Sequence, residues 1–273
     1  MSLRRNVFSY AVIIPFTIVL AFPFFWMFVT SLKSETQVFD PTKTWNFHPS
    51  LHAYGYLFHH TKYVTWIENS CFVGLLVVLI TLAVALPAGY ALARLSGRIG
   101  RTLGIAIFLT YLVPPTLLFL PLSRVISELG LQDSLWSLIL IYPSFTIPFA
   151  TWLMMGFFKT IPRELEDAAM IDGCSRFAAL RHIVLPVSVP GILTVVIFTF
   201  SLCVNEFIYA FTFTSSTAER TLSAGVPNEL IRGDVFFWQS LMAAVLIPSI
   251  PLALLYNAFL DRFIKGFTGG AFR

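Results

Sequence analysis

Apolar runs of twenty or more residues recur along this chain, and they limit its fold more than any other feature. An α-helix rises about 1.5 Å per residue, so such a run crosses the ~30 Å hydrocarbon layer of a bilayer with its backbone polar groups paired internally. A membrane β-barrel would instead show segments of about ten residues alternating in polarity, and that pattern is absent. Hydrophobic residues fill 57% of the 273 positions and charged residues only 12%, more apolar surface than one soluble core absorbs. The expectation is an all-α integral membrane protein.

Six spans are predicted, at about residues 7–32, 66–93, 103–123, 135–158, 187–213 and 237–260, in a single transmembrane domain over 1–273. The first run follows Arg4 and Arg5, is longer than a signal-peptide core and lacks a small-residue cleavage site, so it reads as an uncleaved span. Pro114-Pro115 falls inside the third span and must interrupt its hydrogen-bond ladder, which is tolerable only where protein or a water-filled cavity covers the break. No soluble domain, linker or low-complexity tract is apparent, and the two halves show no repeat.

An even number of spans puts both termini on one side. With Arg4 inside, twelve of the eighteen Lys and Arg lie inside, among them Arg94, Arg98 and Arg101 of one short turn. The other six, Lys33, Lys43, Lys62, Arg124, Arg220 and Arg232, lie outside. This bias predicts cytoplasmic termini and a cytoplasmic loop over 159–186. It also accounts for the net charge of +4 without nucleic acid as a partner. Cys71, Cys174 and Cys203 are scattered, which argues against a disulfide framework or a metal site. His48, His52, His59 and His60 share the first outer loop without a ligand spacing and read as solvated residues, while Trp45, Tyr54 and Trp66 are expected at the interface.

The loop 159–186 is the longest polar stretch placed inside. Pro162 suits the first turn of a helix, Glu164, Glu166 and Asp167 complement its positive end, and Gly173 permits a left-handed stop. Ser175 then caps a second helix that runs to Pro186. The first helix carries Ala168, Ala169, Met170 and Ile171 on a segment too short to bury them alone, so a partner surface is expected there.

Within the fifth span, Asn205 and Glu206 stand in apolar surroundings with Tyr209 about one turn on. A carboxylate inside a span should face the bundle interior and be hydrogen-bonded or protonated. Amide, carboxylate and aromatic ring together suit a hydroxyl-rich ligand on a translocation pathway; a structural hydrogen bond to a neighbouring helix is the plainer reading. Zinc-protease, nucleophile-elbow and phosphate-loop motifs are all absent, so the chain does not read as an enzyme, and ATP-driven transport would need a nucleotide-binding partner. The alternative is an ion-coupled secondary transporter in which Glu206 carries the coupling ion.

At Glu166-Asp-Ala-Ala-Met-Ile-Asp-Gly173, followed by Ile183-Val-Leu-Pro186 and Pro190, the chain resembles the membrane permeases of binding-protein-dependent ABC importers of the carbohydrate, maltose-permease type. The likeness extends to Asn69-Ser70, Ala88-Gly-Tyr-Ala-Leu-Ala-Arg94, Val113-Pro-Pro115, Gly156-Phe-Phe158, Asn205-Glu-Phe207 and the tail Gly266-Phe-Thr-Gly-Gly-Ala271. The resemblance implies a type I importer permease (MetI-like) architecture and inward translocation of a sugar or polyol by alternating access. It implies a second, MalF-like permease in a heterodimer, two cytoplasmic ATP-binding subunits that hold ATP and Mg, and an extracytoplasmic binding protein, with no cofactor on this chain. It makes the first loop helix, with Glu164, Glu166, Asp167, Ala168, Ala169, Asp172 and Gly173, the coupling helix that docks on an ATPase subunit. Two positions depart from the family pattern: Asp167 replaces the usual Glu before the paired alanines, and Cys174 replaces a small Ala.

Overall fold

The computed structural model describes residues 2–95 and 97–271; Ser96 and Arg273 lie outside them, as do the side chains of Arg4, Arg5, Arg101, Arg262, Lys265 and the tail motif at 266–271. In chain order the helices are α1 (Ser2–Ser31), α2 (His52–His60), α3 (Tyr63–Tyr90), α4 (Gly97–Tyr111), α5 (Phe119–Glu128), α6 (Leu135–Ile141), α7 (Pro143–Thr160), α8 (Glu164–Ile171), α9 (Arg176–Ala179), α10 (Val189–Asn205), α11 (Ile208–Phe213), α12 (Leu222–Leu230) and α13 (Trp238–Ala271). Short helical turns link several of them, and a two-residue hairpin, β1 (Ile231–Arg232) with β2 (Val235–Phe236), pairs antiparallel across Gly233 at φ 62°.

Among the described residues, four helical stretches are long and apolar enough to cross a bilayer: Ile13–Ser31, Tyr63–Arg94, Leu135–Thr160 and Trp238–Phe259. Two bent pairs raise the number to six if each is one span. Arg98–Tyr111 and Pro115–Glu128 meet at 79°, and Arg176–Val187 and Val189–Asn205 meet at 76°.

Both bends have local causes. At the first, the carbonyl of Tyr111 finds Pro114 three residues on and Pro115 four residues on. Neither nitrogen carries a hydrogen, so the ladder cannot continue. At the second, Ser188 turns the chain by donating its hydroxyl to the Val184 carbonyl at 2.7 Å, and Pro190 opens the first turn of α10.

The fifth apolar run does not form the continuous helix expected over 187–213. Helix α10 stops at Asn205, Glu206 is extended at φ −70° and ψ 127°, and α11 restarts at Ile208. The polar stretch after it, expected as a loop, folds in part into α12 and the hairpin.

By its internal packing the chain divides into two compact units, residues 1–64 with 225–253 and residues 65–224 with 254–273. In the first, α2 buries Ala53 and Leu57, Tyr63 Oη donates to the Ala244 carbonyl at 2.7 Å, and the Lys33 ammonium donates to the Thr44 carbonyl between the Trp26 and Phe47 rings. The four loop histidines are exposed on this unit. Trp45 is exposed and packs edge-on against Trp26, whereas Trp66, at the start of the second unit, is fully buried with Nε1 bonded to the Thr217 carbonyl, not at the interface as expected. A large indole buried with its N–H paired serves packing better than anchoring.

The second unit holds two hydrophobic clusters. One gathers Val73, Val77, Ile126, Tyr142, Phe145, Cys203, Tyr209 and Phe213 around the broken helices. The other gathers Tyr90, Leu92, Met154, Phe158, Ile161, Leu180 and Val184 at the approach to the polar loop. Helix α3 comes against α7 at Gly89, where an added Cβ would lie 3.1 Å from Met154 Cβ, the Met155 nitrogen and the Thr151 oxygen.

Candidate functional site: the polar loop and the broken helices

The polar loop folds as two short helices about a glycine turn. Helix α8 starts at Glu164, so Pro162 precedes the cap residue Arg163 instead of lying in the first turn; Glu164, Glu166 and Asp167 fill that turn and place negative charge near the positive helix end. Its end is a Schellman turn. The Cys174 N–H donates to the Ala169 carbonyl at 2.9 Å and the Gly173 N–H to the Met170 carbonyl at 3.1 Å, with Gly173 at φ 93°. Ser175 then caps α9, accepting from the Ala178 N–H at 3.2 Å.

Helix α8 has two faces at helical spacing. Glu164, Asp167, Ala168 and Ile171 are exposed, as are Asp172 and Gly173 beyond its end, and Ile171 is 86% exposed. Glu166 and Ala169 are buried. Seven residues expected to dock on a partner therefore divide: five are presented outward, while Glu166 and Ala169 face their own chain. The Glu166 carboxylate accepts from Tyr90 Oη at 2.7 Å and pairs with Arg94 Nε at 2.7 Å, and Arg94 also donates to the Ile161 carbonyl at 2.6 Å. Tyr90 and Arg94 were not picked out as site residues. The only signal for them was their place in the Ala88–Arg94 motif, because a contact across 72 or 76 residues leaves no spacing to read.

The second candidate site lies at the helix breaks. Glu206 accepts from Tyr142 Oη at 2.9 Å and from the backbone N–H groups of Tyr209 and Ala210 at 3.1 Å. Its negative charge thus sits at the N-terminus of α11 and replaces the ladder bonds lost at the break. Tyr209 is fully buried, donates to the Pro115 carbonyl at 2.6 Å and packs among Phe119, Phe145 and Phe213. It offers no free face for stacking on a ligand, which corrects that part of the expected constellation. Asn205 is exposed, with its amide donating to the Ser201 carbonyl at 2.8 Å.

A cavity of about 340 Å³ opens beside the first break, lined by Thr110–Pro115, Leu118, Ser144, Phe145 and Leu202. Tyr111, whose carbonyl the two prolines leave without a ladder donor, is among the lining residues. No group of three His, Cys, Asp or Glu side chains converges among the described residues.

Comparisons with known proteins identify the family and the fold. Residues 85–269 match the family described as binding-protein-dependent transport system inner membrane component. The chain is 35% identical over 254 residues, 92% of its own length and 88% of the relative's, to the sulfoquinovosyl glycerol transport system permease protein SmoH of Agrobacterium fabrum. It is 31% identical over 94% of its length and 92% of the relative's to the trehalose/maltose transport system permease protein MalG of Thermococcus litoralis. Its fold is similar, at a TM-score of 0.79 and 20% identity over 96% of this chain and 99% of the other, to a chain in the crystal structure of a bacterial ABC transporter involved in the import of the acidic polysaccharide alginate.

Proposed function

This chain belongs to the binding-protein-dependent transport system inner membrane components, the non-catalytic permease subunits of ABC importers, and from that premise we propose that it is one permease of an importer for a sugar or sugar derivative. Permeases of this family act with another permease subunit, an ATPase and a substrate-binding protein. In the reading offered here the other permease is MalF-like and forms a heterodimer with this chain. Two ATPase subunits bind ATP and Mg on the cytoplasmic side, where both termini of this chain also lie. The sugar class is supported by relatives whose names refer to sulfoquinovosyl glycerol and to trehalose and maltose.

The observation that carries the coupling role is the outward face of α8. Glu164, Asp167 and Asp172 stand beside the bare Ile171 side chain on a helix the chain itself leaves uncovered. An apolar knob ringed by carboxylates suits a groove with an apolar floor and a basic rim. Asp167 keeps the charge of the family's usual glutamate on a shorter arm, so its contact is expected to require closer approach.

The translocation role is proposed for the broken helices. Asn205 and the residues lining the cavity beside Pro114-Pro115 offer polar groups to a hydroxyl-rich solute, and Glu206 accepts from the N–H groups where α11 restarts. The ion-coupled alternative loses its support, because both Glu206 carboxylate oxygens already serve this chain.

Reconstitution with the ATPase and binding protein tests the reading. Ile171→Asp is expected to lower affinity for the ATPase by about tenfold or more, the scale of losing a buried apolar anchor. Unchanged affinity would remove the docking claim. Ligand screening of the cognate binding protein decides the substrate, and binding of amino acids or metal ions instead of sugars would overturn the sugar assignment.

A further inference from the structure

Glu166 lies in the motif that marks the docking helix, yet its side chain turns into the subunit. Tyr90 Oη donates to Oε2, Arg94 Nε donates to Oε1, and both bonds measure 2.7 Å. The Arg94 and Glu166 side chains are 6% and 9% exposed. Arg94 makes a further bond, at 2.6 Å, to the carbonyl of Ile161 just beyond α7. Three elements therefore meet at one guanidinium: the end of α3, the exit of α7 and the first turn of α8. Arg94 sits on a π-helical turn, Ala91–Leu95, that closes α3, and wide turns of this kind recur at functional positions.

We infer that Arg94, Tyr90 and Glu166 form a latch that positions the coupling helix and delivers its displacement to α3, so that Glu166 serves coupling from within the subunit instead of touching the ATPase. The inference rests on the docking reading above. It follows from which groups are already satisfied and which are not. Both Glu166 oxygens are occupied by their own chain, whereas Glu164, Asp167 and Asp172 are exposed. Charge-assisted bonds at this length are strong, and parting the pair would strand a buried charge, so the contact is expected to survive the motions of the transport cycle. Below the latch, Tyr90 packs edge-on against Phe158 within a close-packed cluster. Such packing transmits a push instead of absorbing it. The pair gives α8 a side-chain connection to α3 in addition to its short backbone link to α7.

The test uses the complete transporter, this chain with its partner permease, ATPase subunits and binding protein, in nanodiscs. Glu166→Gln and Arg94→Gln are each expected to lower the ATPase rate stimulated by substrate-loaded binding protein about tenfold or more. The affinity of the ATPase subunits for the permease pair should stay within about twofold of wild type for both variants, and the double variant should be no worse than the poorer single one. A merely structural pair would lower the yield of assembled complex without changing the stimulated rate per complex. That outcome overturns the latch. So does weakened ATPase affinity in Glu166→Gln with stimulation restored at saturating ATPase, which would make Glu166 a docking residue. Independent, multiplicative effects of the two changes would also overturn it. If Arg94→Gln does not assemble, Tyr90→Phe, which removes one hydroxyl and no charge, carries the test: a loss of stimulation of about threefold or more is expected, and full stimulation overturns the latch. Failure of the docking reading is seen separately, as unchanged ATPase affinity in Ile171→Asp.

Discussion

Glu206 was placed by sequence in the middle of a span, and the bonds it makes explain how a carboxylate is tolerated there. One oxygen takes the Tyr142 hydroxyl, and both serve backbone N–H groups at the start of α11. Glu206→Ala is expected to destabilise the protein by about 1–3 kcal/mol, because Tyr142 is buried and would keep an unpaired hydroxyl. Glu206→Gln, which retains one acceptor, should recover part of this, and thermal unfolding of the purified chain measures both. A different carboxylate gives a local acid dependence. Asp133, in the turn between α5 and α6, accepts from the Ser216 N–H at 2.7 Å and the Ser215 N–H at 2.8 Å. The Ser216 backbone bond is the largest cause holding its pKa below the ordinary 3.8. A lowered folded value contributes stability above the unfolded pKa and loses it as pH falls through the folded one. Protection of the Ser216 amide from hydrogen exchange, corrected for intrinsic rate, should therefore fall only below about pH 3.8, and Asp133→Asn should abolish that step.

Helix contacts show a second kind of constraint, one of space. A Cβ on Gly89 would lie 3.1 Å from two backbone atoms of α7, which cannot rotate away, whereas one on Gly156 meets nothing within 4 Å. Gly89→Ala is expected to lose stability by about 1 kcal/mol or more, as overpacking outweighs the gain in helix propensity. Gly156→Ala, measured on the isolated chain, should gain up to about 1 kcal/mol. The same elements show what a sequence reveals. The break at Pro114-Pro115 was readable because proline removes the ladder donor wherever it stands. The break at Glu206 was not, since residues 192–213 hold no proline or glycine and read as continuous helix, and the backbone N–H groups at the restart are met by the Glu206 side chain itself. The Gly233-Asp234 turn carried a hairpin signal, hidden by the polar composition around it. In the coupling loop, the glycine stop and the Ser175 cap were legible because both are local. The inward turn of Glu166 was not, because its partners lie more than seventy residues away.

At the scale of the whole molecule the proposed role requires one orientation, with the α8 loop on the side of the ATPase and the 214–221 segment on the side of the binding protein. The segment is held by two donors one turn apart on α3: Trp66 Nε1 bonds the Thr217 carbonyl, and the Asn69 amide bonds the carbonyls of Ala218 and Arg220 at 2.7 and 2.8 Å. It is thus a fixed feature of its face, and a label placed there reports on sidedness instead of local motion. With Cys71, Cys174 and Cys203 replaced, a single cysteine at Ser216 should react with a membrane-impermeant maleimide in intact cells whose outer barrier has been permeabilised. One at Asp172 should react only after the cytoplasmic membrane is opened. Both positions are exposed, so lack of reaction at either cannot be ascribed to burial in this chain. The reverse pattern would place the coupling loop away from any cytoplasmic ATPase and remove the basis for docking, because a helix cannot receive work from a subunit on the other side of the bilayer. The positive-inside bias and the exposed acidic face of α8 predict the first pattern for independent reasons, one from charges near span ends and the other from an uncovered surface.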